Sequence, residues 1–394
     1  MSQPVFVDLT HTSHTAARTG VQRVARGLWR GLGTQGRPIT YDRFQRAWRP
    51  LRAWEHRKLA VEKPAAKRGA HWPWPSRLRG WLSRRQNGFD WAAGSAGLIV
   101  PELFSRDVGL ALPQFLPHVG GARIALFHDA TAVRLPEFAA PNTVARLPPY
   151  LQELRMFDGI AAVSETSKSE LLSYWDWLGI RRAPPVESIP LGIDVPATLP
   201  ASEAGDGRPE ILYVSTIEGR KNHVALLDAC ESLWAQGDQF RVRLIGLRQM
   251  QTGRRALKRI AELQAAGRPL VHEGAVDDAT VERAYASASF TVYASVAEGF
   301  GLPIAESLAR GKPCICCRQG AVGETAAGGG CLTVDQPDVP SLREAISRLL
   351  HHPAELSALA EVACRRRFKT TADHARELLD WMGALGPKGK VANS

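Results

Sequence analysis

The run Ser295-Val296-Ala297-Glu298-Gly299-Phe300-Gly301-Leu302-Pro303-Ile304-Ala305-Glu306 sets two carboxylates, with seven residues between them, around a turn flanked by glycines. Two carboxylates at one site can each accept a pair of hydroxyl hydrogen bonds, which suits a vicinal diol. Gly299 and Gly301 let the backbone approach a ligand closely. Pro303 stands where a first helical residue would, where its preset φ helps and its missing N–H costs nothing. Free N–H groups at a helix start favour anionic oxygens, so one turn can face hydroxyls and phosphates together. An isolated pair at this spacing is more often a solvated loop Glu and a surface helix Glu. The glycines, the proline and the strand before them reverse that balance here.

That strand is residues 288–294, short, apolar and β-branched. Glu306 is then expected about two helical turns beyond Glu298 and on its side. A second strand, 211–214, leads to Gly219-Arg220-Lys221, where the Arg offers a planar fork and the Lys a compact charge to phosphate oxygens. His128-Asp129 ends the strand 123–127 and so projects from the carboxyl edge of a sheet, where open α/β folds bind ligands; a capping His is the alternative. Glu102 and Arg134 lie just past strand ends and could contact an acceptor, although surface charges fit equally well. Ser164, Thr166 and Ser167 follow the strand 159–163 and are read as helix caps. Strand 4–9, the polar loop 10–19 and a helix opening at Gly20 make another phosphate-facing turn, although packing alone explains most single glycines so placed.

The stretch from Glu298 to Glu306 resembles the donor-binding signature of retaining family-four glycosyltransferases of the GT-B fold. The resemblance implies that Glu298 contacts donor-sugar hydroxyls, that Glu306 binds the nucleotide ribose, and that the backbone of Gly299, Phe300, Gly301 and Leu302 faces sugar and phosphates. Residues 211–223 are similar to the family's strand and loop that present Arg220 and Lys221 to the diphosphate. Residues 163–168 and 189–194 are similar to the stretches that close its first domain. The same resemblance puts Gly20 nearest the diphosphate from across the cleft and brings His128 to the donor sugar. Matching segments run from about His128 to about Leu350.

At 394 residues the chain is long enough for two domains with separate cores. No apolar run reaches the ~18 residues of a membrane span and the N-terminus lacks a signal pattern, so a cytoplasmic protein, soluble or peripheral, is expected. The six cysteines fit neither a disulfide framework nor a zinc spacing and are read as reduced, mostly buried small residues. The net charge of +11 is local: residues 43–85 hold thirteen Lys and Arg against Glu55 and Glu62. They also hold five of the eleven tryptophans, Trp48, Trp54, Trp72, Trp74 and Trp81. Cations interleaved with Trp suit an anionic membrane surface; nucleic acid accepts the same chemistry; a surface insertion whose Trp residues pack on the domain explains it without a partner.

The expected fold class is α/β: GT-B, two doubly wound parallel-sheet, Rossmann-like domains facing across a cleft. The divisions are 1–194 for the acceptor-binding domain with a basic insertion at 43–88, a linker at 195–209, 210–373 for the nucleotide-sugar-binding domain, and 374–394 for a helix crossing back and a tail. The expected activity is retaining transfer of a hexose from a nucleotide diphosphate sugar, first guess GDP-mannose, to a glycan or glycolipid hydroxyl in surface polysaccharide assembly. No cofactor and no metal are expected, the nucleotide sugar being a co-substrate. Two alternatives stand: a sugar-nucleotide isomerase or hydrolase on the same fold, and a nucleic-acid-binding protein or RNA-directed transferase using 43–85.

Overall fold

Two successive alternations of short apolar strands and amphipathic helices give two sheets in a computed structural model that describes residues 3–60, 69–83, 88–196 and 206–386. The first sheet holds β1 (Val5–Asp8), β2 (Gly36–Asp42), β3 (Ala47–Pro50), β4 (Gly97–Val100), β5 (Ala122–Phe127), β6 (Gly159–Ala162) and β7 (Val186–Ser188), in the order β3-β2-β1-β4-β5-β6-β7. Its helices are α1 (Gly20–Leu32), α2 (Ala53–Ala60), α3 (Trp74–Leu82), α4 (Arg106–Phe115), α5 (Thr131–Arg134), α6 (Pro141–Glu153) and α7 (Glu165–Trp177). The second sheet holds β8 (Glu210–Val214), β9 (Arg241–Ile245), β10 (Leu270–His272), β11 (Phe290–Tyr293), β12 (Cys314–Cys317) and β13 (Cys331–Val334), in the order β10-β9-β8-β11-β12-β13. Around it lie α8 (His223–Ala235), α9 (Arg254–Ala265), α10 (Asp278–Ser287), α11 (Leu302–Leu308), α12 (Gly320–Ala326), α13 (Val339–His351) and α14 (Pro353–Arg365).

All strand pairs are parallel except β2–β3, an antiparallel edge. Strand order reverses between β1 and β4 in one sheet and between β8 and β11 in the other. These switch points open crevices outside the carboxyl ends of the strands. The loops leaving those four strands carry Thr12, Glu102, Arg220 with Lys221, and Glu298, so topology alone gathers most candidate residues at two crevice mouths. The final helix, α15 (Thr371–Leu385), packs on α1, β5 and β6, and buries Ala375, Leu378 and Met382 in the first domain's core.

The basic stretch is not simply an insertion. It begins with β3, whose Trp48 is buried, stacks on Phe115 at 4.5 Å and donates its indole N–H to Asp8 at 2.9 Å. Arg49 is buried between Asp42 (2.9 Å) and both oxygens of Glu55 (2.7 and 2.8 Å). His14 reaches Glu55 at 2.8 Å and stacks on buried Trp72 at 3.9 Å. Part of the local charge is therefore internal and compensated, while Trp74 and Trp81 stay exposed. Positions 61–68 and 84–87, and residues 197–205 of the expected linker, lie outside the described residues. All six cysteines are free, with Cys230, Cys314 and Cys316 buried and Cys364 exposed.

Candidate active site at the domain seam

Arg220 and Lys221 lie in a single turn between β8 and α8, ended by Asn222 in the left-handed region (φ 54°). The loop after β11 is tied to this turn by Val296 N–H donating to Arg220 O at 2.9 Å, with Ser295 Oγ 3.1 Å from the same oxygen. Glu298 is thereby brought onto both cations. Its Oε2 lies 2.7 Å from Arg220, and its Oε1 pairs with Lys221 Nζ and accepts from Ser295 Oγ. Burial alone would raise the Glu298 carboxyl; the Arg220 and Lys221 charges and the two hydrogen bonds overcome that and hold it down to about 2. Burial, then Arg220, push the Lys221 ammonium below its usual range, and its other hydrogen bond goes to Tyr293 OH at 2.6 Å. Glu218, which sequence reasoning passed over, pairs with Arg220 at 2.9 Å. The cluster thus holds two cations and two carboxylates, and the three expected site residues bind one another.

From the first domain, half-buried His128 donates its Nε2–H to Pro101 O, 2.8 Å away. Burial lowers its pKa, so the ring is neutral, Nε2 carries the proton toward the carbonyl, and Nδ1 is left as an acceptor. Gly299 lies directly on His128: a Cβ at 299 would fall 1.8 Å from the His128 carbonyl oxygen. Ser164 does cap α7, accepting from Ser167 N–H, and it also donates to Gly299 O at 2.6 Å. Ser167 and Thr166 are not caps. The Ser167 hydroxyl donates to His128 O at 2.7 Å, while the N–H groups of Glu165 and Thr166 donate to the Glu324 carboxylate of α12 at 2.9 and 2.7 Å. A helix start in one domain is thus capped by an acid from the other.

Gly301 takes φ +95° and α11 follows, beginning at Leu302 with Pro303 second, one residue from the expected place. Gly20 faces this start, a Cβ there meeting Leu302 Cδ1 at 3.8 Å. The Phe300 and Leu302 side chains pack on the first domain's core. Glu306 is buried at 3% exposure; Arg23 of α1 pairs with its Oε1, and its Oε2 has no hydrogen-bond partner among the described residues. Arg23 was not singled out by sequence, because nothing local marks a contact spanning 283 positions.

Glu102 is no surface charge. It is 5% exposed and accepts from the N–H groups of His11 and Thr12, both at 3.2 Å, and from the Thr12 hydroxyl. Burial pushes its carboxyl up from 4.5 to about 7, more than those hydrogen bonds lower it. Because the folded value lies above the unfolded one, stability falls as pH rises from 4.5 through about 7, by ~3 kcal/mol in all. Glu102→Gln is expected to flatten that fall; parallel melting curves from pH 5 to about 8 check it, and equal slopes would refute it. Arg134 is elsewhere, paired with Glu170 on the wall of a 790 Å³ groove that Tyr174, Trp177 and Glu324 also line. Among the described residues no group of three or more His, Cys, Asp or Glu converges as a metal-holding set, and no helix is long and apolar enough to cross a membrane.

Residues 195–366 match the family model described as glycosyl transferases group 1. That stretch of the chain is similar to the family over somewhat under half of its 394 residues. Its two-sheet architecture is GT-B: sucrose-phosphate synthase from Thermosynechococcus elongatus superposes with a TM-score of 0.65 at 18% identity, over 97% of this chain and 96% of that one. HepE from Anabaena, solved with UDP and glucose, gives 0.70 at 13% identity over 97% and 100%. Among curated proteins, the Escherichia coli serotype-specific mannosyltransferase WbdA is 23% identical over 343 residues, 80% of this chain. The match covers 38% of that relative's own length, so this chain spans well under half of it. The matched stretch holds Arg220, Lys221, Glu298 and Glu306, and the seam sets Gly20, Arg23 and His128 against it.

Proposed function

We propose that this chain is a retaining, metal-independent glycosyltransferase that moves a hexose from a nucleotide diphosphate sugar to a hydroxyl of a lipid-linked glycan during surface polysaccharide synthesis at the cytoplasmic membrane face. The observation that carries the reading is at the seam: in the stretch that matches glycosyl transferases group 1, Glu306 keeps one carboxylate oxygen buried and, among the described residues, unpartnered, opposite Gly20 and Arg23. A buried carboxylate oxygen without a donor is costly, and a ribose hydroxyl satisfies it. Arg220 and Lys221 would stabilise the leaving diphosphate. The bond from the sugar's anomeric carbon to phosphate oxygen breaks, the acceptor oxygen bonds that carbon from the same face, and the acceptor proton passes to the departing diphosphate. Neither Glu298 nor Glu306 then needs to be a covalent nucleophile.

Mannose as the sugar is supported by the mannosyltransferase name of the curated relative, and GDP is our choice of its nucleotide; UDP-glucose is the competitor suggested by the HepE complex. The experiment is turnover of a panel of GDP- and UDP-sugars with and without glycan acceptors, repeated with Glu306→Gln. GDP-mannose is expected to be consumed only with acceptor, and the variant's KM for donor to rise about tenfold or more with kcat little changed. Donor turnover without acceptor would instead indicate a hydrolase or isomerase, and an unmoved KM would remove Glu306 from the nucleotide site.

A further inference from the structure

A helix on a folded domain normally turns its large apolar residues inward. α3 does the reverse. It buries Ser76 and Gly80, one turn apart, and exposes Trp74 (71%), Leu78 (43%), Trp81 (58%) and Leu82 (66%). Positions 74, 78, 81 and 82 share one helical face, so the four side chains form a single apolar stripe in water. Packing fixes this orientation: a Cβ at Gly80 would meet Phe44 Cβ at 2.8 Å and Asp42 Oδ1 at 2.9 Å, leaving no room for a larger residue beneath the helix. Just before α3, buried Trp72 stacks on His14, and His71 N–H donates to His14 O at 2.8 Å. The stripe is thus held rigidly on the loops leaving β1 and β2.

Beside it lies a 300 Å³ pocket lined by Arg52, Arg57 and Arg79 with Trp54 and Pro75, and by no carboxylate among the described residues. The nearest acids serve other cations: both Glu55 oxygens hold Arg49, and Asp42 takes Arg49 at 2.9 Å, with Arg52 further off at 3.6 Å. The Trp54 indole N–H is buried without a hydrogen-bond partner among the described residues. An anion's oxygens would satisfy the three guanidinium groups together.

We propose that α3 docks the protein on an anionic lipid bilayer, its Trp74-to-Leu82 stripe lying at the boundary of headgroups and acyl chains and the Arg52, Arg57 and Arg79 pocket taking a lipid phosphate. Indoles sit at headgroup level, and aliphatic side chains bury just below it. Leu78 and Leu82 offer nothing for a nucleic-acid base to stack on, which sets lipid above RNA. The positive excess of residues 43–85 complements an anionic leaflet. The docking edge is the carboxyl edge of the first sheet, so an acceptor carried in the bilayer would meet the cleft from the same side. This inference does not depend on which sugar is transferred.

The test is cosedimentation of the full chain with phosphatidylcholine vesicles, with and without phosphatidylglycerol. Binding to the anionic vesicles alone is expected, with a blue shift of Trp emission and weakening as salt rises. Trp74→Ser with Trp81→Ser should weaken binding about tenfold or more, and Arg57→Glu with Arg79→Glu should remove the preference for anionic lipid, both at unchanged melting temperature since the altered side chains are exposed. Equal binding by the tryptophan double variant would overturn the proposal, as would no vesicle binding by the wild type. Tight RNA binding, or self-association through α3, in place of vesicle binding would overturn it too.

Discussion

Glu298→Ala is expected to stop transfer and to leave a protein whose stability recovers as the solution becomes alkaline. In the wild type the Glu298 carboxyl is held down to about 2 by Arg220 and Lys221 against the effect of burial, and the gap from 4.5 corresponds to ~3 kcal/mol. That contribution is fully present above pH 4.5 and is lost as pH falls through about 2. Removing the carboxylate strands one buried cation, Lys221, and one half-buried one, Arg220. Arg220 keeps Glu218, but Lys221 keeps, among the described residues, only the Tyr293 hydroxyl as a side-chain hydrogen-bond acceptor. Breaking a buried pair from one side costs about 3–5 kcal/mol. The ammonium is already pushed below 10.5, and without Glu298 it falls further. A base with a depressed folded pKa penalises the fold at low pH and ceases to do so as pH rises toward its unfolded value. The variant's melting deficit should therefore be largest near neutrality and shrink toward pH ~10. Adding Lys221→Met should restore most of the lost stability and none of the transfer, since kcat/KM is expected to stay at least about a hundredfold down. Transfer within a tenth of the wild-type rate by the single variant would show that Glu298 only supports the fold.

How much of this was legible in the sequence follows from where each signal is stored. β1, β4, β5, β6, β8, β11 and β12 are largely apolar, central runs, and their buried faces are written into consecutive residues. β7 and β10 are only three residues long, and β2 carries Pro38 within the polar run Gly36–Asp42, so no alternation marks them. β3 was hidden by its charge. Arg49 reads as a surface cation until Asp42 and Glu55 close on it, and that enclosure is a tertiary event. Of the site, the residues inside one loop were visible: Glu298, Gly299 and Gly301 beside one another, Arg220 next to Lys221. Their partners across the seam were not, because the match of Arg23 to Glu306, or of Glu324 to the start of α7, leaves no local trace. The serines after β6 were read as caps because capping is their commonest local use; only the fold reveals that two of them also hold the other domain's loop.

That seam is tightest at Gly299, and Gly299→Ala is the second large effect expected. The added methyl would lie 1.8 Å from the His128 carbonyl oxygen, 2.7 Å from its carbonyl carbon and 3.3 Å from Asp129 Cβ. Backbone cannot turn aside as a long side chain can, so the two loops must separate. The effect is steric rather than conformational, since Gly299, unlike Gly301, does not take a positive φ. Separation would also break the bonds from Ser164 and Ser167 to Gly299 O, 2.6 and 3.1 Å in the wild type. Each domain keeps its own core, the second built on β8 to β13 and the first on β1 to β7 with α15, so the domains should part without unfolding. A displacement of about an ångström at a transfer site costs roughly a hundredfold in rate. The expected result is a kcat/KM about a hundredfold down or more, with a melting temperature only slightly lowered and a larger radius of gyration by X-ray scattering. Gly267→Ala is the control. Its φ of +73° brings backbone strain of ~1 kcal/mol, but a methyl there meets nothing within 4 Å, so transfer should persist. If Gly299→Ala transfers as well as that control does, the contact between His128 and the Gly299 turn plays no part in the reaction.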